Sequence, residues 1–307
     1  MNFLLRLQYR YSQIKDYLSS YLYFIIYLPY LILFLFIKPR SKEISAMVRI
    51  KNEENFLNVS IESIINFVDE IILINNLSSD KTATIIKKLI KKYPQKIFAY
   101  NYPYWVSKIG NQSKNIDNKK KSKKHLATYY NWSMNKCSKS YILKWDGDMV
   151  ANKGFQREIT LFKKTKRIFF IKNFGKNIYP DLRHAIQTIK ETESEVFPGC
   201  YISYLNKETY KELRLFPKRI SYYNAKFPFL ENLFSPLMFY PFLILNANKP
   251  SFLHLKFLKT DPYSNMPEEM KKFIKFSIRP DEKLTKEELN ILSRYKIKNY
   301  NKDFIIS

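Results

Sequence analysis

The sequence predicts an α/β fold, a mixed, mostly parallel sheet flanked by helices, preceded by a hydrophobic amino-terminal helix and followed by an irregular, aromatic-rich carboxyl-terminal part. Two observations carry the α/β core. From Ile44 onward, short apolar runs alternate with amphipathic segments of helical period, the rhythm of strand-helix-strand units. In addition, the apolar run Tyr141 to Trp145 ends directly in Asp146-Gly147-Asp148, which sets carboxylates at the carboxyl end of a strand, where open α/β sheets bind ligands.

Taken in order, Ile44 to Ile50 reads as the first strand, broken by Asn52 to Asn55. Leu57, Ile61, Ile64, Ile65 and Val68 then recur at helical spacing and form one buried stripe. Glu70 to Asn75 is the second strand. Ser78, Ser79 and Asp80 supply capping oxygens ahead of a helix over Thr82 to Tyr93, with Ile85, Ile86, Leu89 and Ile90 toward the core and Lys87, Lys88, Lys91 and Lys92 toward water. Lys96 to Asn101 is the third strand. Ser107 to Lys124 carries seven Lys among Asn and Ser and reads as a mobile loop. His125 to Cys137 has helical composition and leads into the strand Tyr141 to Trp145; beyond Phe155 the pattern turns irregular and aromatic.

The amino-terminal run Tyr17 to Ile37 is almost wholly apolar or aromatic, with Arg6, Arg10 and Lys15 before it and Lys38, Arg40 and Lys42 after it. Its length just suffices to span a bilayer, and it is too long and too aromatic for a cleaved secretory signal. Pro29 interrupts its middle, where a kink or helix break is expected, and its tyrosines suit the interfacial zone, so three readings stand: a span, a kinked in-plane or re-entrant anchor, and a packed core helix. The sequence divides into this anchor segment at 1–42, an α/β domain at 43–260 and a basic helical extension at 261–307.

The 307 residues hold 53 Lys and Arg against 27 Asp and Glu, a formal net charge of +26, which favours anionic lipid, polyanions or phosphorylated ligands. With 46% apolar residues, wholesale disorder is excluded. Cys137 and Cys200 alone form neither a disulfide framework nor a zinc or C-x-x-C spacing, consistent with a reducing compartment.

Asp146 and Asp148, one small residue apart, let the chain turn tightly and point two hard oxygen donors at one place, an arrangement suited to a divalent cation bridged to a diphosphate. The ordered set Val48-Arg49-Ile50-Lys51-Asn52-Glu53-Glu54, Ile72-Leu73-Ile74-Asn75-Asn76-Leu77-Ser78-Ser79-Asp80-Lys81-Thr82 and Leu143-Lys144-Trp145-Asp146-Gly147-Asp148-Met149 resembles family 2 glycosyltransferases of the Rossmann-like GT-A fold. Leu213-Arg214-Leu215-Phe216-Pro217, a following Glu231, and Phe252-Leu253-His254-Leu255-Lys256 look like later landmarks of bacterial, membrane-associated members. Two departures stand out. Asn75 occupies the place of an aspartate near the nucleoside, and Leu77 and Lys81 replace the glycines of the second turn.

The resemblance implies an inverting, metal-dependent transfer of sugar from a nucleotide-diphosphate donor. Arg49, Asn52, Glu53, Asn75, Asn76, Asp80 and Asp146 would line the nucleotide sugar. Asp146, Asp148 and His254 would hold Mn²⁺ or Mg²⁺, with Asp146 serving ribose or metal and His254 metal, phosphate or core packing. Inversion needs a carboxylate to take the acceptor hydroxyl's proton. Glu231, within the apolar run Phe229-Leu230-Glu231-Asn232-Leu233, matches the late acidic landmark, and Glu191, Glu193, Glu195 and Glu212 are its rivals.

The expected partners are a nucleotide-sugar donor, a saccharide or lipid-linked acceptor and a membrane surface, with no specific nucleic acid. The catalytic domain is expected at the cytoplasmic face of the membrane. Two other readings remain: a GT-A binding protein with a degenerate donor site, and a basic protein in which Lys119 to Lys124 and the aromatics bind nucleic acid or anionic membrane.

Overall fold

A computed structural model describes residues 41–106, 123–124, 126–165, 170–178, 191–198, 221–224, 231–234, 244–247, 249–258 and 285–294, together with Ile25, Leu28, Pro29 and Ile32. The described elements run β1 (Ile44–Ile50), α1 (Leu57–Ile64), β2 (Glu70–Asn75), α2 (Thr82–Lys92), β3 (Ile97–Asn101), α3 (Leu126–Met134), β4 (Tyr141–Asp146), β5 (Met149–Ala151), α4 (Lys153–Lys164) and β6 (Phe170–Asn177). They continue as β7 (Glu191–Pro198), β8 (Ser221–Asn224), β9 (Glu231–Phe234), β10 (Ile244–Asn246), β11 (Phe252–His254) and α5 (Lys286–Arg294).

Nine of these strands form one sheet in the order β3-β2-β1-β4-β7-β6-β11-β5, with β10 also on β6. The amino-terminal half is parallel: β1 pairs with β2 and β4, and β2 with β3. Helices cover both of its faces, so β1 and β2 are apolar along nearly their whole length rather than alternating. The distal half adds antiparallel pairs, β4 with β7, β7 with β6, and β11 with β5. This is the mixed, mostly parallel sheet that the sequence predicts.

The main core joins Met47, Val48, Leu73, Ile74, Leu143 and Trp145 of the sheet to Leu57, Ile61 and Ile64 of α1 and to Phe155, Ile159 and Phe162 of α4. Helix α2 buries Ile86 and Leu89 and leaves its lysines outward, as its pattern predicts. Helix α4 starts at Asn152, whose side-chain oxygen accepts from the N–H groups of Gly154 and Phe155, a side-chain cap that satisfies two otherwise unpaired donors.

A second cluster forms around β5 and β11. Phe56, Val150, Ile178, Leu253, Leu255 and Leu258 pack there with Ile291 and Leu292 of α5. Helix α5 opens with a reciprocal cap: Glu288 N donates to Thr285 Oγ1 at 3.2 Å and Thr285 N to Glu288 Oε2 at 2.8 Å. The same carboxylate accepts from Lys176 of β6 at 2.8 Å, a buried ion pair. Helix α5 therefore packs against β5, which follows Asp148, and β11, which ends at His254.

Most of Tyr17 to Ile37 lies outside the described residues; within it, Ile25, Leu28, Pro29 and Ile32 are helical and exposed. No helix among the described residues is long and apolar enough to cross a membrane. The loop expected over Ser107 to Lys124, except its last two residues, and the Leu213 to Pro217 landmark also lie outside the described residues.

Candidate active site

The carboxyl edge of the parallel strands gathers the residues singled out from the sequence. Register sets Arg49 of β1 opposite Asp146 of β4, Ile50 opposite Asn75, and Asn75 opposite Asn101. Because the strands are parallel and in step, residues far apart in the chain end on one line.

Asp146 is fixed from two sides. Its carboxylate forms a salt bridge with Arg49, whose guanidinium lies 4.2 Å from the centre of the Tyr130 ring. Its carbonyl oxygen accepts from Ser60 Oγ at 3.2 Å, and that hydroxyl in turn accepts from Trp145 Nε1 at 3.0 Å. Neighbouring Tyr129 is buried, which pushes its phenol far above the usual range, with Asp146 and Tyr102 adding to the rise and Arg49 opposing it. It therefore stays a neutral donor, directed to the carbonyl of Ile74 at 3.3 Å.

Gly147 makes the turn between the two aspartates. Its N–H donates to the Arg49 carbonyl at 3.2 Å, and a Cβ there would stand 2.9 Å from Glu53 Cγ. The turn thus presses so closely on the first loop that only glycine fits without movement.

Asp148 is buried in the turn just before β5, with Oδ1 3.3 Å from Nε2 of the equally buried His254. Strand β11 pairs antiparallel with β5 and aligns His254 with Met149. One ligand atom each from Asp146, Asp148 and His254 lies within 4.8 Å of the others. Two carboxylates and an imidazole that converge in this way match a divalent cation such as Mn²⁺, which accepts both oxygen and nitrogen donors. The donor set therefore fits the implied metal.

The loops after β1 and β2 are fastened to each other. Asn52 N donates to Ser78 Oγ at 3.0 Å, and Asn52 Oδ1 accepts from Ser79 N at 2.9 Å. Glu53 N donates to Thr82 Oγ1 at 2.7 Å, Glu54 N to Asp80 Oδ2 at 3.1 Å, and Lys81 N to Glu54 Oε2 at 3.0 Å. Asp80 Oδ1 also accepts from Thr82 N at 3.0 Å, so Asp80 braces the start of α2 from just ahead of the cap position, which Lys81 occupies. Partial burial alone would raise the Asp80 carboxyl, but hydrogen bonds from the Thr82 hydroxyl and from backbone amides outweigh it and hold the carboxyl below its ordinary value.

Asn52 and Leu77 both adopt left-handed backbone, with φ of 55° and 53°. At 77 this accounts for the glycine expected there: the turn needs a conformation that glycine adopts without strain, and leucine holds it at a cost.

Asn75 Nδ2 donates to Asn101 Oδ1 at 3.2 Å, and Asn75 Oδ1 accepts from Ser78 N at 3.4 Å. Asn76 is buried, and its amide donates to the carbonyls of Tyr102 and Tyr104, which makes it a holder of the chain beyond β3. Glu231 begins β9, opposite Asn224 of β8 in a separate two-stranded sheet. Glu191, Glu193 and Glu195 lie along β7; the side chains of these four glutamates and the whole of Glu212 lie outside the described residues.

Sequence reasoning missed Ser60 and Tyr130. Ser60 left a signal, a hydroxyl on the buried stripe of α1 between Leu57 and Ile61, where a polar group must have a partner. Tyr130 left none, since its helix has no clear polar and apolar faces.

A mostly parallel α/β sheet that brings Asp146, Asp148 and His254 together at the carboxyl edge of its first strands defines the GT-A class of glycosyltransferase fold. The profile described as Glycosyl transferase family 2 matches residues 45–210. The match spans more than half of the chain, and the chain belongs to that family.

Among solved structures, S. aureus TarS 1-349 in complex with UDP-GlcNAc is similar at 10% identity, covering 83% of this chain and 66% of that one, with a TM-score of 0.40. Glucosyl-3-phosphoglycerate synthase from Mycobacterium tuberculosis, in complex with Mn²⁺, UDP and phosphoglyceric acid, is similar at 14% identity over 51% of this chain and 56% of that one, with a TM-score of 0.30. The chain thus spans just under two thirds of the first of these and little over half of the second. No curated protein matches it.

Proposed function

We propose that this chain is an inverting, metal-dependent glycosyltransferase that moves a sugar from a nucleotide-diphosphate donor to a saccharide or lipid-linked acceptor in cell-surface polysaccharide or glycoconjugate synthesis. The observation that carries this reading is the convergence of Asp146, Asp148 and His254 at the carboxyl edge in a chain of family 2. These three would hold Mn²⁺ or Mg²⁺, and the ion would offset the negative charge that develops on the departing diphosphate.

The chain's own groups have the remaining roles. Arg49 neutralises part of the charge of Asp146 and keeps its carboxylate oriented. Asn75, at the strand end, offers an amide and a carbonyl to base or ribose. The cross-linked loops at Asn52, Glu53 and Asp80 shape the wall of the donor site. Glu231 takes the proton of the acceptor hydroxyl as that oxygen attacks the sugar's anomeric carbon from the face opposite the leaving group.

Departure from the family's glycines at position 77 does not by itself argue for a degenerate site, because Leu77 keeps the left-handed turn. The catalytic domain is assigned to the cytoplasmic face of the membrane on the strength of Tyr17 to Ile37 with its basic flanks, and because nucleotide sugars are made in the cytosol. Sedimentation of the intact chain with membranes, and release of residues 41–307 as a soluble active domain, tests the anchoring role of Tyr17 to Ile37.

The activity itself is tested by screening UDP-, GDP-, dTDP- and CMP-sugars for Mn²⁺-dependent turnover by the wild type and by Asp148→Ala. Turnover that stops on chelation and is restored by Mn²⁺ only in the wild type is expected, with the product's anomeric configuration inverted by NMR. Near-normal turnover by Asp148→Ala rejects the metal assignment, and a retained configuration rejects inversion.

A further inference from the structure

The geometry points to a docking face for an anionic bilayer on the edge of the sheet formed by β3, the chain that follows it and α3. The inference rests on the reading of the chain as a glycosyltransferase that works at a membrane, and it adds a contact surface separate from Tyr17 to Ile37.

Among the described residues β3 is the terminal strand of the sheet. Phe98 and Tyr100 on it are 42% and 37% exposed, and Tyr104 and Trp105 just beyond it 38% and 42%. Four large exposed aromatics within eight positions of the chain are a candidate interaction surface. They stand on a fixed base. Tyr102 is buried between them, with its ring centre 5.5 Å from that of Tyr104, 4.9 Å from Tyr129 and 5.0 Å from Trp132. Its hydroxyl donates to the Lys123 carbonyl at 2.7 Å.

Two ammonium groups complete the patch. Lys123 Nζ donates to the Tyr104 hydroxyl at 2.7 Å and lies 4.5 Å from that ring's centre. Lys136 Nζ lies 4.7 Å from the centre of Trp132 and 5.1 Å from that of Tyr100. Among the described residues no carboxylate pairs with either lysine.

This chemistry selects a bilayer over a sugar or a base. A saccharide or nucleobase stacks on the open face of a ring, but Tyr100, Tyr104 and Trp132 each already carry an ammonium over a face. Tyrosine and tryptophan settle at the level of lipid headgroups, and lysine is drawn to anionic ones. The overall charge of +26 has the matching sign.

The patch is also wired to the donor end of the sheet. Asn76 holds the carbonyls of Tyr102 and Tyr104, and Asn75 bonds Asn101 at the end of β3. A bilayer docked on this face would lie beside the donor site, where a lipid-linked acceptor emerges from the membrane surface.

The test uses the full chain with Cys137→Ser and Cys200→Ser, carrying a solvent-sensitive fluorophore on Trp105→Cys or, as reference, on Thr160→Cys of α4. Vesicles are phosphatidylcholine alone or with about 30% phosphatidylglycerol, the anionic component expected to draw juxtamembrane lysines. The label at 105, and not that at 160, should shift to the blue and be quenched by spin-labelled lipid, on anionic vesicles only. Adding Lys123→Glu and Lys136→Glu should weaken that response at least about tenfold, because two cations that face the anionic surface become anions, while circular dichroism shows the fold retained.

A chain that sediments with vesicles while the label at 105 stays silent overturns the proposal, as do equal responses at 105 and 160. A response to poly-uridylate but not to vesicles reassigns the surface to nucleic acid. Donor hydrolysis by the same chains separates the two readings. A lipid response without hydrolysis of any nucleotide sugar removes the enzyme and leaves the surface, whereas hydrolysis without a lipid response does the reverse.

Discussion

Nε2 of His254 lies 3.3 Å from Oδ1 of Asp148, and the N–H of the next residue, Leu255, donates to the Asp148 carbonyl at 2.9 Å. The two are thus clasped through side chain and backbone, by strands that are distant in sequence but paired in the sheet. The clasp holds the histidine beside the carboxylate, so two of the three side chains that could hold the proposed cation are already held together by the fold.

It follows that His254→Asn should lower Mn²⁺ affinity by roughly 10-fold or more, the low end of the range for losing an orienting partner alone, with little change in nucleotide affinity. Titration of Mn²⁺ followed by the spectrum of the free ion gives the first quantity, and calorimetry with a nucleoside diphosphate the second. Unchanged Mn²⁺ affinity places His254 with the packing residues of β11 instead.

Leu77, half exposed and left-handed, gives up little burial if replaced. Relief of about 1–2 kcal/mol of left-handed strain outweighs the roughly 0.5–1 kcal/mol that glycine's extra unfolded-state freedom costs. Leu77→Gly should therefore stabilise the chain by about 0.5–1 kcal/mol, seen as a rise in melting temperature. Asn52→Ala should do the opposite, since Asn tolerates that conformation and its side chain accepts from Ser79 N. A lower melting temperature for Leu77→Gly would falsify the strain argument.

Asp80 links folding to pH. Its carboxyl is held below its ordinary value of 3.8, so the ionised form favours the folded state. That contribution is complete above the ordinary value, declines as pH falls toward the lower native value, and is absent below it. Asp80→Asn should accordingly be less stable than wild type at neutral pH, and the gap should close as pH falls below 3.8. Denaturant melts across the acid range check this; a gap independent of pH means that the side chain acts by shape alone.

For Glu231, Glu231→Gln preserves size and hydrogen bonding but cannot accept a proton. Donor binding should survive while transfer falls by about two to four orders of magnitude, the contribution expected of a general base. The same change at Glu191, Glu193, Glu195 or Glu212 should have little effect on kcat. If one of these proves essential and Glu231→Gln transfers normally, the base moves to that residue and inversion stands.

Much of this protein was legible from local pattern. Strands β1, β2 and β4 are near-continuous apolar runs because both faces of a parallel sheet are buried. Helix α2 shows its outward lysines and inward Ile86 and Leu89 at helical spacing. The Asp146-Gly147-Asp148 turn was visible because an apolar strand ends in it, and that single placement carried the site.

Other features depend on register and packing, which no local window contains. The pairing of Arg49 with Asp146 exists because β1 and β4 lie parallel and in step. The approach of His254 to Asp148 follows from the antiparallel pairing of β11 with β5. The docking of α5 relies on Lys176 and Glu288, two charges that read as surface residues until burial brings them together.

The sequence by itself determined the alternation of elements, the location of the carboxylates and the family. Each follows from neighbours along the chain, whose side chains point to fixed faces of a strand or helix. Tertiary structure alone decided which distant groups share that edge, and why position 77 calls for glycine. Those outcomes arise where separate segments meet, through hydrogen-bond register, close packing and the desolvation of paired charges.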